Sequence, residues 1–223
     1  MCLLLVRTTP IEECESRTDG ISLFLVDLQD PAVDITPIPK LGRNAVVSCE
    51  VRYDNLRVPA SRRIGDEGEG FRYILDGLNP ERVLIASEAL GIGRASIRRA
   101  TNYAKDRIIF NRPIGQNQGI QFPIAKAYSQ MRAAELMLRE AIRLYDNGEN
   151  PGEEANMAKM LASDASWAAS EACVQTHGGF GFAEEYDVER KYRETRLYQI
   201  APISTNLILS YIAEHILDMP RSY

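Results

Sequence analysis

Two histidines, His177 and His215, are all that 223 residues contain, and that scarcity argues against a metal centre built on imidazole. The four cysteines, Cys2, Cys14, Cys49 and Cys173, lie far apart with no CxxC pair. That spacing is neither a zinc pattern nor a compact disulfide framework, and reduced thiols in a cytoplasmic protein are the expectation. Positive charge is also short. Lys and Arg number 26 against 31 Asp and Glu, a formal net charge of -5, which disfavours nucleic acid as the main partner. Local arginine clusters can still meet an anionic ligand. Long apolar runs are missing too: MCLLLVRTTP is apolar for only five residues after Met1, too few for a signal h-region or a membrane span. No internal repeat or low-complexity tract occurs.

What is present divides into two halves with different periods. Hydrophobic residues make up 45% of the chain, enough for a sizeable core. Residues 1–65 hold short segments rich in Val, Ile and Leu: CLLLVR, ISLFLVDL, VDITPIP, VVSCEVRY and LRVPA, broken by Asp-Gly, Asp-Pro and further prolines. They read as strands, and VVSCEVRY alternates in part, as a half-buried antiparallel strand does. From Phe71 the period is helical. Ile120, Ile124, Ala127, Met131, Ala134, Leu138, Ala141 and Tyr145 form one broad stripe. NGENPG at 147–152 stops that helix, an Ala-rich helix follows, and DVERKYRETRLYQ and ISTNLILSYIAEHIL read as two more. The expected fold class is α+β: a partial antiparallel β-domain over residues 1–65, then a C-terminal four-helix bundle over 66–223.

Two stretches invite a chemical reading beside a structural one. In DGLNPERVLIASEALGIG, Asn79 is a favoured N-cap and Pro80 a favoured first helical residue. Glu81 then complements the helix dipole; a carboxylate pressed against VLIA is equally a candidate general base. QTHGGFGF resembles a phosphate-cradling loop, but it follows a helix and lacks GxGxxG spacing, so a helix C-cap with a turn is the default, with His177 a turn residue.

Three blocks in the same order carry a resemblance. GEGFRYILDGLNPERVLIA, AKDRIIFNRPIGQNQGIQFPIA and QTHGGFGFAEEYDVERKYRETRLYQI resemble the acyl-CoA dehydrogenases over essentially the whole chain. The resemblance implies an FAD enzyme that oxidises acyl-CoA thioesters to 2,3-enoyl-CoA and passes electrons to an electron-transferring flavoprotein. It also implies a homotetramer or homodimer, while charge, apolar run length and histidine count are what leave nucleic acid, membrane and metal out of the expectation. By the same resemblance the chain starts inside the family's middle β-domain, so that an N-terminal helical domain and earlier strands are expected to be missing. Many members place the base in a Tyr-Glu-Gly-Thr segment near the C-terminus; here YQIAPIST stands there, with Pro202 at the Glu position. A branch that includes isovaleryl-CoA dehydrogenase places it on the earlier helix, where this chain has Glu81.

Glu81 is therefore the implied catalytic base for the α-proton, with the β-hydrogen leaving as hydride to flavin N5. Such a base works best with a pKa above the ordinary carboxylate value, which burial against an acyl chain supplies. Asn79 and Arg82 match substrate-binding positions, although Arg82 read alone suits a surface ion pair with Asp76 or Glu88. A backbone N–H near Ala201 to Ile203 is the implied donor to the thioester oxygen. Arg107 matches an arginine that contacts the FAD pyrophosphate of a neighbouring subunit, or is simply a helix C-terminal cation. Phe110, Gln118, Gln175, Gly178, Gly179, Ser204 and Asn206 match further cofactor positions, and along Gln175 to Gly179 the missing glycine side chains let backbone approach the ligand. The charges of ERKYRETR read as a solvated face or a subunit contact. The alternative to an enzyme is a catalytically inactive fragment whose helical bundle serves oligomerisation, with exposed strand edges and apolar patches.

Overall fold

The computed structural model describes residues 1–222 and divides into two units, Met1–Leu78 and Asn79 onward. In the first unit five strands are formed: β1 (Cys2–Arg7), β2 (Ile21–Val26), β3 (Val33–Pro37), β4 (Cys49–Tyr53) and β5 (Arg63–Ile64). β1 pairs antiparallel with β2, from Cys2 opposite Val26 to Arg7 opposite Ile21, and β5 adds to the other side of β2. As the central strand, β2 supplies the buried residues Ser22, Leu23 and Val26. Arg7 closes the long loop before it, donating to the carbonyls of Asp19 at 2.8 Å and Arg17 at 2.6 Å. β3 and β4 form a separate antiparallel pair.

Two strand expectations need correction. LRVPA is not a strand: Pro59 lacks the N–H a ladder needs, and Ala60–Arg62 coil into a 3-10 turn before β5. In VVSCEVRY the pairing begins only at Cys49, and Val46 and Val47 lie outside it, 59% and 65% exposed.

Five helices follow: α1 (Gly70–Asp106), α2 (Gln118–Asp146), α3 (Gly152–His177), α4 (Val188–Thr195) and α5 (Thr205–Tyr211). Antiparallel strands preceding a helical run make the fold α+β, as the patterning indicated. The helix start at Asn79 and Pro80 is a correction. α1 begins at Gly70, and Pro80 lies inside it. A helix already under way forgoes one backbone bond at Pro80, whereas nucleating a new one is the costly step. A small hairpin, β6 (Ile108–Ile109) with β7 (Arg112–Pro113), follows α1. Its two turn residues, Phe110 and Asn111, both have positive φ, 52° and 62°, the geometry of a type I′ turn.

The core of the second unit joins Ala86, Ala89 and Leu90 of α1 to the α2 stripe and to Ala158, Ala162, Ala165 and Ala169 of α3. Ala127, Met131, Ala134, Leu138 and Ala141 are buried as the spacing indicated, but Tyr145 is 52% exposed, and Leu144 is the half-buried residue of that last turn. Alanine lets the axes approach closely. At Gly93 a Cβ would stand 2.6 Å from the Met131 sulfur and 3.2 Å from the Ser166 Cα, so three helices meet where only hydrogen fits. α3 is the central helix: fifteen of its residues are buried, including Lys159 and His177. The four cysteines are free thiols, and burial pushes the Cys173 thiol up to about 11.

Candidate functional site

The second unit places the sequence-derived candidates at three loci. The first is the turn of α1 around Glu81. Arg82 is a buried guanidinium, not a surface ion pair; its Nη1 donates to Asn79 Oδ1 at 2.6 Å. Its Nε has no partner among the described residues, and burial lowers its pKa against the opposing pull of Tyr211 and Glu81. Glu81, by contrast, is exposed and makes no hydrogen bond or ion pair within the described residues. The expectation that it is pressed against VLIA is corrected by helix geometry. At 100° per residue Glu81 shares the outward face with Leu84, itself 64% exposed, and with Glu88, while Ala86, Ala89 and Leu90 turn inward.

The second locus is the segment before α5. Ser204 is the α5 N-cap, its Oγ accepting from the Leu207 N–H at 3.3 Å, and Asn206 is exposed on the first turn. Upstream, α3 holds the chain at three points. Lys159 Nζ donates to the Ile203 carbonyl at 2.7 Å, Ser163 Oγ to the Tyr198 carbonyl at 2.8 Å, and Gln199 Nε2 to Asp164 Oδ1 at 2.9 Å. Lys159 is 0% exposed, and burial pulls its ammonium down to about 8, with Asp164 opposing and the Arg82 charge reinforcing. Of the backbone donors at 201–203, the Ala201 N–H is committed to Leu197 O and Pro202 has none. The Ile203 N–H has no hydrogen-bond partner among the described residues.

The third locus is a cavity of about 470 Å³ beside the end of α3, lined by Tyr103, Arg107, Gln175 and His177 to Phe180 among others. The default reading of QTHGGFGF as a helix end is met: Gly178 terminates α3 at φ 58°, ψ -133°, and Gly178–Phe182 form a 3-10 turn. A Cβ on Gly178 or Gly179 would meet nothing within 4 Å, so both backbones face open space. The Arg107 guanidinium has no carboxylate partner among the described residues and lies 5.8 Å from the Phe180 ring centroid. His177 stacks on Tyr103 with centroids 4.2 Å apart. Its Nδ1 donates to the Cys173 carbonyl at 2.8 Å, which fixes the tautomer, and burial lowers its pKa.

Arg107, Gln175, Gly178 and Gly179 are thus brought to one cavity. Phe110, 92% exposed at the hairpin tip, and Gln118, exposed at the start of α2, are not among its lining. The positive φ of Phe110 is the one its place in the two-residue hairpin turn requires. The sequence reading passed over Tyr103 and Lys159. The Tyr103–His177 stack is a long-range contact with no local signature, whereas Lys159 sits in a helix with Ala or Ser on almost every side, a sign of burial all round.

Among the described residues no group of His, Cys, Asp and Glu is arranged to hold a metal, and no helix is long and apolar enough to cross a membrane. Residues 68–217 match the family model described as "Acyl-CoA dehydrogenase, C-terminal domain". The chain belongs to the acyl-CoA dehydrogenase family. It is 38% identical over 214 residues to the acyl-CoA dehydrogenase FadE12 of Mycobacterium tuberculosis, covering 95% of this chain and 55% of that relative. It is 35% identical over 184 residues to the caffeyl-CoA reductase-Etf complex subunit CarC of Acetobacterium woodii, covering 82% and 48%. Butyryl-CoA dehydrogenase from Megasphaera elsdenii has the same fold, with a TM-score of 0.85 at 28% identity over 91% of this chain and 54% of that one. The chain spans about half the length of the curated relatives it matches.

Proposed function

We propose that this family member takes part in FAD-dependent α,β-dehydrogenation of an acyl-CoA thioester to the 2,3-enoyl-CoA, with Glu81 as the base for the α-proton. The observation that carries the reading is the pairing of two positions. Pro202 cannot ionise, while Glu81 offers a carboxylate with no hydrogen bond or ion pair, one residue from the buried Arg82. Removal of the α-proton by Glu81 leaves negative charge on the thioester oxygen, and a backbone donor aimed there lowers the barrier. The Ile203 N–H is the donor at 201–203 that remains free for it. Leu84, exposed on the Glu81 face, offers apolar surface for an acyl chain whose binding would exclude water around the base.

The residues of the third locus fit FAD. An unpaired guanidinium beside an open cavity suits a diphosphate, and two glycines with free space over their backbones admit a planar ligand at close range. Arg107 would hold the diphosphate, and Gln175, Gly178 and Gly179 would lie along the nucleotide. Phe110, Gln118, Ser204 and Asn206 belong to the same proposal as outlying contacts, with Asn79 supporting Arg82 toward substrate. FAD, when bound, would take up the β-hydrogen with its two electrons. Electrons would pass on to an electron-transferring flavoprotein, a partner class supported by the name of the Acetobacterium woodii relative. A homotetramer or homodimer is part of this reading.

Glu81→Gln tests it. The variant should keep FAD and lose turnover with an artificial electron acceptor by about a thousandfold or more. Unchanged turnover would remove Glu81 from the mechanism.

A further inference from the structure

A buried ammonium is costly unless something needs it there. Lys159 is wholly inside the second unit, with no carboxylate within bonding distance among the described residues, and it makes one hydrogen bond, to the Ile203 carbonyl at 2.7 Å. That bond reaches from the central helix to the residue whose N–H is the uncommitted backbone donor of the 201–203 segment. The two neighbouring donors are out of play, one by its bond to Leu197 and one by the proline ring. Ser163, one turn further along α3, anchors the same segment at Tyr198, so the tether at Ile203 is not needed merely to keep the chain attached.

We infer that Lys159 is a positioning residue for the thioester oxygen: by gripping the Ile203 carbonyl it restrains the φ and ψ of that residue, and so holds the Ile203 N–H, on the preceding peptide, where enolate charge would develop. The assignment rests on the dehydrogenase reading given above. Its physical logic is that an oxyanion donor contributes through preorganisation, and a peptide free to rotate must be reordered at the moment of reaction. A purely structural lysine would leave a different mark. Met at this position removes a costly buried charge but leaves the Ile203 carbonyl without its donor, so the two effects on fold stability oppose one another while only the lost tether reaches the enolate, and the two readouts separate in one variant.

The test uses the native protein loaded with FAD and a panel of 3-thia-acyl-CoA thioesters. In these, sulfur replaces the β-methylene, so the α-proton can leave but no β-hydrogen can follow. Exchange of the α-protons into deuterium oxide is followed by proton NMR in wild type, Lys159→Met and Lys159→Arg. Lys159→Met should exchange about tenfold to a hundredfold more slowly than wild type, short of the ~10²–10³ expected for losing an oxyanion donor outright. Its FAD content should match wild type and its melting temperature stay close to it, and Lys159→Arg, which keeps a cationic donor, should recover most of the rate. Exchange by Lys159→Met at the wild-type rate overturns the positioning role and leaves the dehydrogenase reading intact. Absence of exchange in wild type with every thioester overturns both. Should Lys159→Met not fold, Lys159→Gln, a shorter neutral donor, takes its place with the same two outcomes.

Discussion

Gly179→Ala separates a binding role for the glycine turn from a folding role. A Cβ at Gly179 meets no atom within 4 Å, and the residue sits in a 3-10 turn at a φ that other residues adopt. Alanine there should therefore be tolerated or stabilise slightly, by about 0.4–1 kcal/mol, because it narrows the unfolded ensemble. Gly178 is the internal contrast. Its φ of 58° with ψ of -133° lies outside the regions open to L-residues, so Gly178→Ala should cost about 1–3 kcal/mol although its Cβ also meets nothing. If the open face is the bed of the cofactor, a methyl group on Gly179 intrudes on the ligand and not on the protein. FAD affinity of Gly179→Ala should fall at least tenfold, about 1.4 kcal/mol, at an unchanged or higher melting temperature. The assays are thermal unfolding without added FAD and titration of FAD fluorescence. Wild-type FAD affinity in Gly179→Ala would refute the reasoning.

Other perturbations follow from packing and charge. Met131→Ala should destabilise by about 2–5 kcal/mol in denaturant unfolding, since Met131 fills the contact between α1, α2 and α3; a loss under ~1 kcal/mol would contradict that packing. Hydrogen bonds from Arg139 and Arg94, with Arg132 beside them, hold the Glu135 carboxyl down from 4.5 to about 2. A depressed acid contributes stability above its unfolded pKa and loses it as pH falls through the folded one. Between pH 4.5 and 2, wild type should therefore lose stability more steeply than Glu135→Gln, and parallel curves would count against the network. Cys173, buried with its thiol pushed up to about 11, should resist iodoacetamide near neutral pH while the three other cysteines label first; mass spectrometry of the peptides decides.

The sequence was most legible where one physical signal acted alone. The α2 stripe declared itself because a helix with one buried face must repeat every three or four residues, and only Tyr145 broke the rule, Leu144 taking the inward place in that turn. Where two signals competed, the local one misled. Asn79–Pro80 carries the chemistry of a helix start, yet α1 runs through it, since cooperativity along a helix outweighs one missing bond. The Phe110–Asn111 turn left no trace because its positive φ values fall on residues other than glycine. At the site, the motifs located Arg107 and the glycines at one cavity, but the exposure of Glu81 and the burial of Arg82 and Lys159 depend on which face of a helix meets a neighbour far away in sequence. Two adjacent residues of α1, one outward and one inward, are indistinguishable by type when both are charged.

The central claim is tested most directly by anaerobic visible absorption of the FAD-loaded protein on addition of acyl-CoA thioesters of graded length and branching. The account expects the flavin band to bleach with at least one thioester in wild type, and to persist with all of them in Glu81→Gln at equal FAD content. A wild-type band that persists with every thioester would contradict dehydrogenation and favour the inactive, oligomerising alternative. Bleaching in Glu81→Gln as fast as in wild type would keep the reaction and strip Glu81 of its part in it.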